Sequence, residues 1–273
     1  MIKLGIRAHD LGKMGAQDLA NQVSRIGFDG VQLVFKKALD SEVDFNRLTD
    51  IKNAFTKPNI MMLGAYFNPY HPDQNEVQKG IEYFKKHLDI ANSLGTLHVG
   101  TETGSYMGNP WSYHPKNHTD VAMYEVVDVI KDLAQYAEEK NANVLIEGAY
   151  AHVAYSPERL DQMLKLVNSK HVGVIVDLFN YLYIGNVSEM NQIFERALEL
   201  FKDKIIVFHL KDFIIQEGKL VQVGLGQGLM DYPYLIKRIK ETVPNAYLIF
   251  EGVVGPDIET SYNYINTLLR KDV

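Results

Sequence analysis

Short apolar runs alternate with longer amphipathic stretches along the whole of the 273 residues, and this alternation constrains the fold more than any other feature. The β-branched and apolar runs at 3–7, 30–34, 59–65, 96–100, 143–147, 172–177, 205–209 and 246–251 read as eight strands. Helical periodicity fills the intervals at 17–26, 45–55, 76–94, 121–140, 157–167, 188–201 and 232–242, and the stretch 257–269 after the last strand. Ser156-Pro157-Glu158 supplies a cap followed by proline at the first helical position, and Pro256-Asp257 is read in the same way. The inner strands are almost continuously apolar, as strands covered on both faces must be. Eight strand–helix units in 273 residues average roughly 34 residues each, close to the unit of a (β/α)8 barrel. A doubly wound open sheet would place a glycine-rich phosphate turn after its first strand, and Arg7-Ala8-His9-Asp10-Leu11-Gly12 is not one. The expectation is an α/β chain folded as one (β/α)8 TIM barrel, with residues 1–273 in a single domain.

Composition removes several classes of function. The formal net charge is −6, and no basic run exceeds Lys36-Lys37 or Lys85-Lys86, so nucleic acid is not an expected partner. With no cysteine, disulfides, thiolate catalysis, Cys-ligated zinc and iron–sulfur clusters are excluded. The first residues enter an alternating strand without a signal-peptide core, and no apolar run approaches a membrane span. The chain is therefore expected to be cytoplasmic, with no membrane partner.

Four consecutive strands end in residues that bind metals. They are Leu145-Ile146-Glu147, Val176-Asp177, Phe208-His209 and Phe250-Glu251, with gaps of 30, 32 and 42 residues. In a barrel this spacing sets the four side chains on adjacent staves at one height. Side chains alternate with period two, so Leu145, Ile175, Val207 and Ile249 share their inward parity and suit a barrel interior. One acid at a strand end is ordinarily a cap or a surface charge; four in successive units with matched parity form a set. Three carboxylates and an imidazole at the end of an apolar barrel need a counter-charge. A divalent cation provides it, and oxygen and imidazole ligands without thiolate suit Mn2+ first, then Mg2+, Co2+ or Zn2+.

On these residues, and on Asp177-Leu178-Phe179-Asn180, His209-Leu210-Lys211-Asp212 and Phe250-Glu251-Gly252, the chain resembles the xylose-isomerase-like barrels, in the branch of sugar phosphate isomerases/epimerases and ketose 3-epimerases. The resemblance spans the whole chain. It implies one metal ion per chain on Glu147, Asp177, His209 and Glu251, with the two glutamates also moving the proton. The chemistry suits a ketose or related polyol: loss of a proton beside a carbonyl leaves an enediolate whose charge a metal stabilises, and two carboxylates on opposite faces act as base and acid. Two departures from the family pattern stand out. Asn180 occupies the place where relatives commonly have a histidine, and no arginine lies between His209 and Gly224. The three-zinc endonucleases of similar fold need that missing histidine and a further Asp-x-His pair after the seventh strand, and His209 is the last histidine in this sequence.

Around the four ligands, His152, Asn180, Lys211, Trp111 and Glu102 are candidates for contact with a small sugar or polyol. Asp212 is expected to brace a ligand from behind. Glu102 and Arg7 also fit a salt-bridge role at the strand mouths. Residues 101–119 and 211–231 form long connections on the active face, and Gly224-Leu225-Gly226 offers a turn of the kind that binds phosphate. The alternatives to an isomerase or epimerase are a lyase on the same barrel, such as an inosose or dehydroshikimate dehydratase, then a hydrolase or endonuclease, or a sugar-binding barrel without catalysis. A homo-oligomer fits the family resemblance.

Overall fold

The computed structural model describes residues 1–45, 48–108 and 111–271. Ten strands and nine α-helices are defined among them. The strands are β1 (Lys3–Arg7), β2 (Gly30–Leu33), β3 (Asn59–Gly64), β4 (His98–Glu102), β5 (Asn143–Glu147), β6 (Val172–Asp177), β7 (Ile205–Leu210), β8 (Asp212–Gln216), β9 (Lys219–Val223) and β10 (Tyr247–Phe250). The helices are α1 (Ala16–Ile26), α2 (Phe35–Ala38), α3 (Thr49–Ala54), α4 (Gln74–Ala91), α5 (Asp120–Glu139), α6 (Pro157–Val167), α7 (Met190–Phe201), α8 (Tyr232–Thr242) and α9 (Asp257–Arg270). Eight strands close a barrel in the order β1-β10-β7-β6-β5-β4-β3-β2. Each pair whose register is resolved is parallel. Strands β8 and β9 form a separate antiparallel ribbon. No helix among the described residues is long and apolar enough to cross a membrane.

The chain divides into two compact units. One contains residues 1–61, 183–185 and 207–273, and so strands β1 and β2, parts of β3 and β7, and β10 with the ribbon. Within it Gly5 of β1 lies opposite both Gly30 of β2 and Ile249 of β10, and Ile249 lies opposite His209 of β7. The other contains residues 62–182 and 186–206, with the rest of β3 and β4 to β6. There Glu102 of β4 is the register partner of Glu147 of β5, and Glu147 lies opposite Ile175 of β6. Leu145, Ile175, Val207 and Ile249 are fully buried.

Local chemistry sets several element boundaries. Ser156 caps α6 by accepting a hydrogen bond from the Arg159 amide (3.2 Å), with proline in the first turn and Asn168 left-handed at the far end. Thr119 and Asp73 cap α5 and α4 in the same manner. Pro256, in contrast, stands at the start of α9 in a helical conformation and makes no side-chain cap. The strand expected at 96–100 lies two residues later, because the Thr96 hydroxyl takes the His98 amide (3.2 Å) and the ladder with β5 runs on through Thr101 and Glu102. The helix expected at 45–55 forms over Thr49–Ala54; residues 46 and 47 lie outside the described residues. Within 211–231, expected to be irregular, the chain makes the β8–β9 hairpin. Its turn is Glu217-Gly218, both at positive φ (50° and 71°), which matches the right-handed twist of the flanking strands.

Gly30 leaves no room for a side chain: a Cβ there would fall 2.5 Å from the Asn59 carbonyl oxygen. Gly30→Ala is expected to lower unfolding free energy by about 1–3 kcal/mol in urea titration, the range for forced overpacking; an unchanged midpoint would contradict this tight approach. Burial also pushes the pKa of His98 down to about 4, so the folded chain holds it neutral. Its contribution to stability is complete above its unfolded pKa of about 6.5 and is lost as pH falls from there toward 4. An NMR titration of the His98 ring should show a midpoint near 4 rather than near 6.5.

Candidate active site

Strands β5 and β6 each end in an acid. Glu147 is buried, and its Oε1 accepts a 2.6 Å hydrogen bond from Asn180 Nδ2. Tyr66 Oη lies 3.5 Å from Oε2. Asp177 is fully buried, and its Oδ1 accepts the Asn180 amide at 3.2 Å. The short 3-10 turn Phe179–Tyr181 folds directly off β6, so one residue, Asn180, ties the two acids together. Both interactions use neutral donors.

Strands β7 and β10 present a different arrangement. His209 is buried, with Nδ1 2.8 Å from Glu251 Oε2 and Nε2 2.7 Å from Gln32 Oε1. Glu251 Oε1 also meets Arg7 Nη1 at 2.7 Å and Lys211 Nζ at 2.9 Å. Arg7 in turn pairs with Asp10 (2.8 Å), whose Oδ2 accepts the Gly252 amide at 2.7 Å. Burial works to raise the Glu251 pKa, but the charges of Lys211, His209 and Arg7 outweigh it and hold the carboxyl well below its ordinary range. These charges favour the carboxylate form of Glu251.

One ligand atom from each of Glu147, Asp177, His209 and Glu251 lies within 4.8 Å of the others. Three carboxylates and one imidazole make a hard, mixed oxygen and nitrogen donor set suited to a divalent cation. The residues present therefore fit such an ion.

Four of the residues singled out as sugar contacts line one cavity of about 330 Å3: Glu102, Trp111, His152 and Asn180. His152 is buried; its Nδ1 lies 3.6 Å from Glu102 Oε2 and its Nε2 3.2 Å from the Trp111 carbonyl oxygen. The indole and imidazole centroids are 6.2 Å apart. Asn180 links this cavity to Glu147. Lys211 is buried and committed to Glu251. Asp212 braces a loop and not a ligand: its carboxylate accepts the amides of Phe213 (2.8 Å), Gly226 (2.8 Å), Gly228 (3.0 Å) and Met230 (3.0 Å).

Gln32, Asp10 and Tyr66 escaped the sequence reading, whereas the salt-bridge role expected of Arg7 is seen in its pairs with Asp10 and Glu251. Gln32 did leave a signal, as a polar residue within the apolar run Gly30-Val31-Gln32-Leu33 that the fold buries completely. The identity of the distant Arg7 partner left none, since Glu251 is 244 positions away.

The model of the xylose isomerase-like TIM barrel family matches residues 20–266. The chain belongs to that family. Among curated proteins it is similar to the probable L-ribulose-5-phosphate 3-epimerase UlaE of Mycoplasma pneumoniae, at 23% identity over 214 residues. That match covers 77% of this chain and 65% of the relative, so the chain spans just under two thirds of the relative's length. Among solved structures, a D-tagatose 3-epimerase-like protein superposes with a TM-score of 0.77 at 15% identity, covering 98% of this chain and 97% of that one. A xylose isomerase-like TIM barrel protein from Mycobacterium smegmatis, in complex with magnesium, gives 0.73 at 15% identity, covering 98% and 96%. At these identities the solved structures share the fold.

Asp212→Asn replaces one acceptor oxygen by a donor that faces backbone N–H groups. The expected cost is about 1–3 kcal/mol for each amide left without a partner. Hydrogen exchange should quicken at Gly226, Gly228 and Met230; protection equal to that of the parent chain would refute the bracing role.

Proposed function

We propose that residues 1–273 act as one barrel domain that epimerises or isomerises a ketose or related polyol with the aid of a single divalent metal ion. The observation that carries this reading is the convergence of Glu147, Asp177, His209 and Glu251 within 4.8 Å. Its support is the family membership and the epimerase relative. Asp177 and His209 would hold the ion, and Glu147 and Glu251 would hold it while also serving the proton. Mn2+ is the ion the donor set favours first. When bound, the ion supplies positive charge to an oxyanion developing next to the reacting carbon.

The chain's own residues account for the remaining steps. One glutamate takes the proton from the carbon beside the carbonyl, and the other returns a proton on the opposite face, which inverts that centre. Asn180 and Tyr66 orient Glu147 through neutral hydrogen bonds. Arg7 and Lys211 orient Glu251 and keep it ionised. Gln32 fixes the His209 ring. The Glu102–His152–Trp111 cavity beside Asn180 receives the hydroxyl-bearing remainder of the sugar.

Calorimetric titration with Mn2+ is expected to give one ion per chain, and Asp177→Ala to abolish it. With metal bound, free ketoses in D2O should gain deuterium at the epimerised carbon without loss of water. Glu147→Gln should keep the ion and slow exchange by about 10²–10⁴-fold, the usual worth of a positioned general acid or base. Full exchange in that variant would sink the proton role. Loss of water with a new enone absorbance would make the chain a dehydratase instead.

A further inference from the structure

The epimerase reading leaves the charge of the substrate undecided, and the loops around the site bear on it. Barrel enzymes that act on phosphate esters commonly grip the phosphate with backbone amides of the loops after the seventh and eighth strands, and with a helix N-terminus. In this chain the amides of residues 225–230 in the first loop are each engaged internally. Leu225 N donates to Ser261 Oγ (2.9 Å) and Gln227 N to the Gly224 carbonyl oxygen (3.0 Å). Leu229 N donates to the Phe213 carbonyl oxygen (2.8 Å). Gly226, Gly228 and Met230 donate to the Asp212 carboxylate, which is 1% exposed. An internal carboxylate thus occupies the position in which an external anion would be held. The Gly224-Leu225-Gly226 turn is therefore built around the chain's own acid and is not open to phosphate.

The next loop repeats the pattern. Helix α9, which follows β10, carries Asp257 and Glu259 in its first turn, and Asp257 Oδ1 accepts a 3.0 Å hydrogen bond from Gln227 Nε2. Two acids there already satisfy the positive end of the helix and oppose a phosphate. The cavity beside Asn180 has Glu102 and His152 among its lining residues and, among the described residues, no lysine or arginine. Burial lowers the pKa of His152, so the imidazole adds no positive charge near neutrality.

We propose that this chain acts on an unphosphorylated ketose or polyol, with the uncharged tail seated against Glu102, His152 and Trp111 and the 225–230 amides closed to phosphate by Asp212. The proposal rests on the epimerase reading for the reaction, and on these loops for the substrate's charge. It departs from the phosphorylated sugar in the name of the curated relative.

The test uses the full metal-loaded chain with free 2-ketoses and their terminal phosphate esters, read by deuterium exchange. Free sugars should exceed their esters in kcat/KM on the order of 100-fold, from like-charge juxtaposition. Glu102→Gln should narrow that preference by raising kcat/KM for the esters. Esters used as well as or better than free sugars would overturn the proposal and leave the epimerase reading standing. An unchanged preference in Glu102→Gln would overturn the cavity assignment. Exchange on neither class would overturn the epimerase reading and the substrate proposal with it. Independently of turnover, inorganic phosphate should leave the amide resonances of Leu225 to Met230 unmoved, and saturable shifts there would overturn the closed-loop argument.

Discussion

Several carboxylates stand at the ends of apolar strands, and burying a carboxylate charge away from bulk water carries a cost that only neighbouring groups can offset. Glu251 meets this demand with cations. Lys211, His209 and Arg7 surround it, and Arg7 is shared with Asp10. Glu147 and Asp177 meet it with neutral donors, chiefly the side chain and amide of Asn180. Neutral donors orient a carboxylate without neutralising it. The cations around Glu251 make it the best-compensated member of the set. This asymmetry gives the two glutamates unlike surroundings.

The same economy shapes the loops. Asp212 sits one residue beyond Lys211 on the chain but serves a different end, gathering four backbone amides and so fixing residues 224–230. Tyr232 adds a hydrogen bond to the Lys211 carbonyl oxygen (2.8 Å) and ties the start of α8 to the same place. Rigidity behind Lys211 helps hold its ammonium on Glu251. A residue with no contact to a ligand can thus set the geometry of one that has, through the backbone between them.

Much of the architecture was legible in the residues themselves. The barrel staves, the capped helix starting at Pro157 and the four metal-compatible residues at strand ends follow from periodicity, cap chemistry and spacing, which act over a few residues at a time. The hairpin Asp212–Val223 was also written there, as β-branched runs on either side of Glu217-Gly218, yet a long connection on the active face obscured it. The two-residue displacement of β4 depended on one threonine hydroxyl competing for an amide, a contest that composition does not announce.

What the sequence by itself determined is the repeating unit, the parity of the inward side chains and the identity of the metal-compatible residues. Tertiary structure decided which groups stand next to them. Arg7 and Gln32 reach partners 244 and 177 positions away, and His152 finds Trp111 across 41. The physical reason is that periodicity records burial, an averaged local property, whereas an ion pair or a hydrogen bond depends on the separation of particular atoms, which only the closed chain sets.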